Sequence, residues 1–511
     1  MDFYFNAIKA LINRLSKQEK IAFFSALVAG LFSHGYALTN NYIYHDATIL
    51  NGLGNTFGIG RWFLGIAELV HRKCLGNYQL PFFNVGVSII LIALAAMVVT
   101  KTLKVKTSFL AMFIGAIMVV YPVVTSSFAY NFTATYYFLS LFLAAYSVCY
   151  ISERDNLKDY ALAGFILSMS VALYQAYFTV AACLAITVVM KEFLKSESET
   201  RDIIRKGVKL VIHLALGMVM YLVINKLIMT IFNIPALKYM GADSVGSLSI
   251  SKIPGQIVQA YLHFFYLKWN GINAALCMWV FIILFLVFAA ISVLYKLIRG
   301  NIPVVNKVLF IVLVLIFPIA VNLVYLMSTS DVFIVHTLMR YGTAFVLITP
   351  AVLIEEDEKI LGKLSATVLT VIAVSYLYSN NICYLKMNLV QEEMTSYFAV
   401  LQSRITSTEG YYDGMPVVFY GEHDIKDECL MDMNEIYPDT QIVGYEYNAG
   451  TLINGETWQK YMKYHTGYNP VTMTISPTIA NSQEFKDLRV YPDSDCMKVI
   501  DGAMVVKFCE Y

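Results

Sequence analysis

Asp46 has the plainest chemical potential in this chain. It ends the stretch Asn40-Asn41-Tyr42-Ile43-Tyr44-His45-Asp46, a few residues beyond an apolar run. A carboxylate beside His45 at that depth takes a proton from a hydroxyl or holds a metal ion. The plain alternative is a solvated loop acid. Gly52, Gly54, Gly58 and Gly60 follow, then Arg61-Trp62. From Arg61 to Arg72 the spacing predicts a helix lying in a membrane interface. Arg61, Gly65, Glu68 and Arg72 fall on one face, with Trp62, Phe63, Ile66, Leu69 and Val70 on the other. Arginines on such a face offer a planar fork to phosphate, either of a substrate or of ordinary lipid headgroups. Glu68 reads as a second acid or as a partner for Arg61.

Further along, Gln256, Gln259, His263 and Asn270 share one stripe of a second expected interfacial helix, Pro254 to Asn270. Amides and a histidine on one face suit a sugar-binding wall, or they cap neighbouring loops. His336 and Arg340 stand four apart at the mouth of an apolar run, so a helix would place them on one face. An arginine entering a span is costly unless it is paired or faces a wet cavity. Arg340 is therefore a candidate phosphate ligand or an ion-pair partner.

The elements that must position these residues are membrane helices. The chain has 511 residues, 58% hydrophobic and only 14% charged, where soluble domains run near a quarter charged. The apolar mass lies in long runs beginning near Ile21, Phe82, Ser108, Thr133, Tyr160, Tyr177, Val208, Ala274, Val308, Tyr341 and Leu364. The count is about 11 crossings of roughly 20 residues each. Tyr160 to Met190 is too long for one span and short for two. It reads as two short helices meeting at Tyr174-Gln175-Ala176-Tyr177, which reach across only by lining a protected cavity or in a thinned bilayer. Residues 1–20 place Phe5, Ile8, Leu11, Ile12 and Leu15 opposite Lys9, Asn13, Arg14 and Lys17, an amphipathic helix on the membrane surface.

Lysine and arginine set the orientation. The N-terminal group, Lys101 to Lys106, Lys191 to Lys209, and Lys296 to Lys307 all fall on one side, taken as cytoplasmic. The loops 39–80, 230–271 and 328–340 then face outward, as does everything after the last span. Glu355 to Glu358 reads as a solvated inner run. Polar residues return after about Asn380, and Asp501-Gly502 between two apolar runs predicts a hairpin. The expected fold is an all-α polytopic membrane protein, with residues 21–380 in the membrane and 381–511 a small extracytoplasmic α+β domain. The eight cysteines show no metal or redox spacing, and Cys383, Cys429, Cys496 and Cys509 leave disulfides in that domain open.

A net charge of +1 argues against nucleic acid as a partner. There is no Walker loop, GxGxxG or HExxH motif. Few ionisable residues lie in the spans, which weakens an ion-coupled transporter. The order of Tyr44-His45-Asp46, Gly60-Arg61-Trp62, Pro81-Phe82-Phe83, Tyr121-Pro122 through Phe132, Tyr174-Gln175 and His336 to Arg340 resembles the bacterial Gtr-type glucosyltransferases, the serotype-converting O-antigen enzymes and their relatives. The resemblance covers about residues 20–380. It implies a GT-C type glycosyltransferase of the bacterial cytoplasmic membrane, acting on its outer side. Such an enzyme moves a sugar, here glucose, from a polyprenyl-phosphate (undecaprenyl) carrier to a cell-envelope glycan such as O-antigen.

By that resemblance Asp46 is the catalytic base. Arg61, Arg72 and Arg340 are expected to bind the donor phosphate. Tyr44, Trp62, Tyr174, Gln175, His263 and His336 are expected to contact substrate. Many relatives carry two adjacent acids where this chain has His45-Asp46, so a divalent metal stays open and no other cofactor is implied. The alternatives are a lipid-linked glycan polymerase or ligase, and a lipid-linked oligosaccharide flippase or other transporter.

Overall fold

A computed structural model describes residues 13–41, 56–76, 80–195, 199–237, 250–265, 276–327, 335–355, 360–421, 423–424, 451–453 and 457–510. The chain divides into two compact units, and the change falls between Asn381 and Ile382.

Among its described residues the first unit has helices and no strand. Nine helices among the described residues, counting one that continues into the second unit, are long and apolar enough to cross a membrane. They include Lys17–Thr39, Pro81–Thr102, Asn131–Ser152 and the 32-residue Thr200–Ile231. Two expected crossings fall on shorter helices, Leu157–Leu173 with 17 residues and Tyr341–Leu353. The run from Tyr160 to Met190 does break where expected. Leu157–Leu173 ends at Tyr174, a 3-10 turn covers Gln175–Tyr177, and Phe178–Lys195 continues. The broken backbone is buried in protein, as a membrane break requires. Small residues set the closest approaches: a Cβ on Gly115 would stand 2.2 Å from the Ala22 carbonyl, and one on Gly217 2.6 Å from Leu167.

Side-chain contacts gather the basic loops at one end of this unit. Gln18 donates to the Lys106 carbonyl at 2.6 Å, Lys209 pairs with Asp155 at 2.7 Å, and Lys296 donates to the Leu353 carbonyl at 2.9 Å. Glu355 corrects a sequence expectation. Its side chain is 1% exposed rather than solvated, because it accepts from the Lys106 and Thr107 amides at 2.5 and 2.8 Å and pairs with Lys191 at 3.1 Å. Lys191 also donates to the Leu103 carbonyl at 2.8 Å. One carboxylate thus caps the helix starting at Ser108 and ties that helix start to the Phe178–Lys195 helix.

The second unit holds the last part of the Ile360–Ser407 helix and a three-stranded sheet. The strands are β1 (Val417–Tyr420), β2 (His423–Asp424), β3 (Thr451–Ile453), β4 (Met497–Ile500) and β5 (Ala503–Lys507). The sheet order is β1-β5-β4, with β1 parallel and β4 antiparallel to β5; β2 and β3 form a separate pair. The hairpin turn is Asp501-Gly502, φ 48° and 73°, two left-handed residues that match the strand twist. Alternation along β5 buries both faces. Met504 and Val506 join Phe398, Leu401 and Trp458, while Val505 joins Val418, Ile479 and Phe485. Cys383, Cys496 and Cys509 form no disulfide among the described residues; Cys429 lies outside the described residues.

Candidate active site

At the end of the first unit opposite the basic loops, two arginines stand on a wall of tyrosines. Arg61 is delivered by the turn Phe57–Gly60. The Gly60 amide donates to the Phe57 carbonyl at 3.0 Å, and the Arg61 amide to the Thr56 carbonyl at 2.9 Å. Gly60 takes φ 79°, and a Cβ there would sit 2.6 Å from the Tyr221 hydroxyl. Only glycine meets both demands. The turn is held from its other side by the Leu237 amide, which donates to the Gly58 carbonyl at 2.9 Å.

The Arg61 guanidinium donates through Nε to Gln175 Oε1 at 3.1 Å and through Nη1 to the Tyr137 hydroxyl at 3.2 Å. It stands 5.0 Å from the Tyr174 ring centre, and Tyr174 stacks on Tyr137 at 4.1 Å. This is cation–π support by two rings. The Gln175 amide nitrogen donates to the Ile59 carbonyl at 2.9 Å and to the Tyr221 hydroxyl at 3.4 Å. Both ends of the Gln175 amide are therefore engaged by protein, and the break between the two short helices orients Arg61. Tyr137 and Tyr221 escaped sequence reading because each is a tyrosine embedded in a long apolar helix, Tyr137 among four in its own. Nothing in spacing separates such a residue from an ordinary core tyrosine.

Arg340 lies between two short 3-10 turns, Thr337–Met339 and Tyr341–Ala344. Its carbonyl accepts from the Thr343 amide at 3.0 Å and the Thr343 hydroxyl at 2.6 Å, and Tyr121 donates to that hydroxyl at 2.8 Å. The residue is 6% exposed. Nη2 donates to the Tyr325 hydroxyl at 2.5 Å, while Nε has no hydrogen-bond partner. No carboxylate pairs with it among the described residues. Taking a guanidinium to that burial carries a desolvation cost of several kcal/mol unless an anion offsets it.

Tyr325 stacks on His263 at 4.4 Å, with the rings 8° from parallel. The Asn322 side chain ties this arm to the Ile253–Phe265 helix by donating to the Ala260 carbonyl at 2.9 Å. Burial first, and the Arg340 charge second, hold His263 below its ordinary pKa, so it is neutral at pH 7. Burial raises the Tyr325 phenol, with Arg340 opposing.

Edge-to-face contacts join the two arms: Tyr174 to Tyr177 at 5.3 Å, and Tyr177 to Tyr341 at 5.5 Å. The sequence candidates thus fall into an Arg61–Tyr174–Gln175 group and a His263–Arg340 group. Trp62 is buried at the start of the Trp62–Cys74 helix. That helix exposes Ile66, Leu69 and Val70 and half-buries Glu68; its His71 lies 3.1 Å from the Tyr136 hydroxyl. Arg72 is exposed in its last turn. The His336 carbonyl accepts from the Met339 amide at 2.9 Å, starting the turn before Arg340. Tyr44, His45 and Asp46 lie outside the described residues.

Both arms fall within residues 35–348, which match the glucosyl transferase GtrII family. The chain belongs to that family. Comparison with curated proteins gave no match, and comparison with solved structures gave none. Membership makes this polytopic helical protein a glycosyltransferase. The match takes in the Arg61 turn, the broken helix and Arg340, and ends before Ile382.

Proposed function

We propose that this protein is a GT-C type enzyme that transfers glucose from a polyprenyl-phosphate carrier to a hydroxyl of a cell-envelope glycan. The reaction takes place on the outer side of the bacterial cytoplasmic membrane. The observation that carries the reading is Arg340: a buried guanidinium with an unsatisfied Nε and no described carboxylate, beside a neutral histidine. A phosphodiester carrying a lipid tail fits such a cation at the mouth of a span.

In this reading Asp46 takes the proton of the acceptor hydroxyl. The acceptor oxygen bonds to the anomeric carbon as the bond from that carbon to the phosphate oxygen breaks. Polyprenyl phosphate leaves with the bonding electrons, and its charge grows from about −1 toward −2. Arg340 and Arg61 act where that charge develops, so they lower the barrier rather than only holding substrate. The Tyr174 and Tyr137 rings, buried and stacked on each other, brace the Arg61 guanidinium, and Gln175 positions Arg61 rather than touching substrate. Trp62, His263 and His336 line or brace the same end, Glu68 is a reserve acid, and Arg72 serves the phosphate from the surface or rests on lipid headgroups.

The basic loops at the opposite end support a cytoplasmic N-terminus. Purified protein in sealed vesicles tests the activity. With labelled polyprenyl-phosphate glucose and envelope glycan, label should enter glycan and polyprenyl phosphate should be released. Movement of the labelled lipid between leaflets without either product would instead make the protein a flippase.

A further inference from the structure

The first unit carries a cavity away from the arginines. It is a groove of about 860 Å³ between the helices Lys17–Thr39, Ser108–Val120 and Ile360–Ser407. That volume lies within the range of small-molecule sites, ~300–1,000 Å³. Its floor is made by small side chains, Ser25, Ala29, Ala116 and Ala373, and its rims by Phe24 and Phe32. The seam is shut at one end, where Asn380 donates to the Ser33 hydroxyl at 2.8 Å and the Val120 carbonyl at 2.7 Å. At the other end stand Lys17 and Lys20.

Those lysines are the unusual feature. They lie in the first turn of a 23-residue helix, so they add to the positive end of its dipole instead of offsetting it. Neither makes an ion pair or side-chain hydrogen bond among the described residues. The nearest acid in sequence, Glu19, is engaged by the Ser16 hydroxyl at 3.0 Å. A positive mouth on an apolar trench has the charge pattern of one ligand class. From Lys17 to Phe32 the trench runs ~22 Å along the helix, deeper than half of the ~30 Å hydrocarbon core.

We propose that this groove binds one anionic phospholipid of the adjoining leaflet, with its phosphate between Lys17 and Lys20 and one acyl chain along the seam. The site is separate from the donor site, since its lysines share the end that holds Lys106 and Lys191, opposite Arg61 and Arg340.

Native mass spectrometry of the full-length protein released from nanodiscs of equal phosphatidylglycerol and phosphatidylcholine tests this. Wild type should retain one lipid, with phosphatidylglycerol preferred by roughly 30-fold, the scale set by two surface lysines. Lys17→Gln/Lys20→Gln should bring the ratio near one while total retention persists. Ala116→Phe, which fills the floor and leaves the charges, should lower retention of both lipids. An unchanged ratio in the double variant would overturn the proposal. So would an empty groove in wild type that takes up lipid once residues 1–12 are deleted, because the chain's own N-terminal segment would then be the occupant.

Discussion

Replacing Gly60 by alanine should unseat Arg61 without touching any group that meets substrate. Two costs follow from the geometry. The residue sits at φ 79°, which an L-residue adopts at a cost of about 1 kcal/mol. The new methyl would also lie 2.6 Å from the hydroxyl of buried Tyr221, and overpacking of that kind costs about 1–3 kcal/mol. The sum is about 2–4 kcal/mol.

Relief by moving Tyr221 disturbs Gln175, which touches that hydroxyl at 3.4 Å and holds Arg61 at 3.1 Å. A shift of about 1 Å in a charge-stabilising group is worth up to about 100-fold in rate. Gly60→Ala should therefore lower the melting temperature in detergent and reduce kcat/KM for transfer by about 10- to 100-fold. Adding Tyr221→Phe removes the clashing oxygen and leaves only the backbone cost, so Gly60→Ala/Tyr221→Phe should regain part of both losses. Full activity in Gly60→Ala would refute the link from turn to arginine. A double variant worse than the sum of the singles would refute the steric cause.

Three further outcomes follow. Gln175→Leu strips the contact that orients the Arg61 guanidinium, so kcat should fall about tenfold or more with donor KM changed less, as for a positioning residue. Lys191→Met leaves the Glu355 carboxylate buried without its cation, and a loss of about 3–5 kcal/mol in unfolding free energy is expected, with transfer by the remaining folded enzyme unchanged. His263 is held below its ordinary value of 6.5, so the stability it contributes is complete above that pH and is lost as pH falls toward its folded pKa. Between pH 7.5 and 5.5 the melting temperature of wild type should drop more than that of His263→Phe, which keeps the ring stack and cannot titrate.

Much of the architecture was legible because membrane helices must be long and apolar. Each of the apolar runs coincides with a helix, and the break at Tyr174 to Tyr177 followed from length alone. The Asp501-Gly502 hairpin was readable for a local reason, since that pair tolerates two left-handed residues. Arg61 and Arg340 stood out because charge at a span mouth needs a reason. What sequence could not supply was partnership across distance. The tie from Gln175 to Ile59 spans over a hundred residues, and Tyr137 and Tyr221 carry no local mark. Glu355 was misread for the same reason: its three partners come from two other segments, so its neighbours in sequence suggested only solvent.

The most direct test of the central claim is single-turnover transfer from labelled polyprenyl-phosphate glucose by reconstituted wild type, Arg340→Gln and Asp46→Ala. Arg340→Gln should slow the chemical step by about 100-fold or more, the scale for losing one group that stabilises developing charge. Asp46→Ala should abolish transfer while donor still binds. Wild-type rates in Arg340→Gln would contradict the assignment of that buried guanidinium to the departing phosphate.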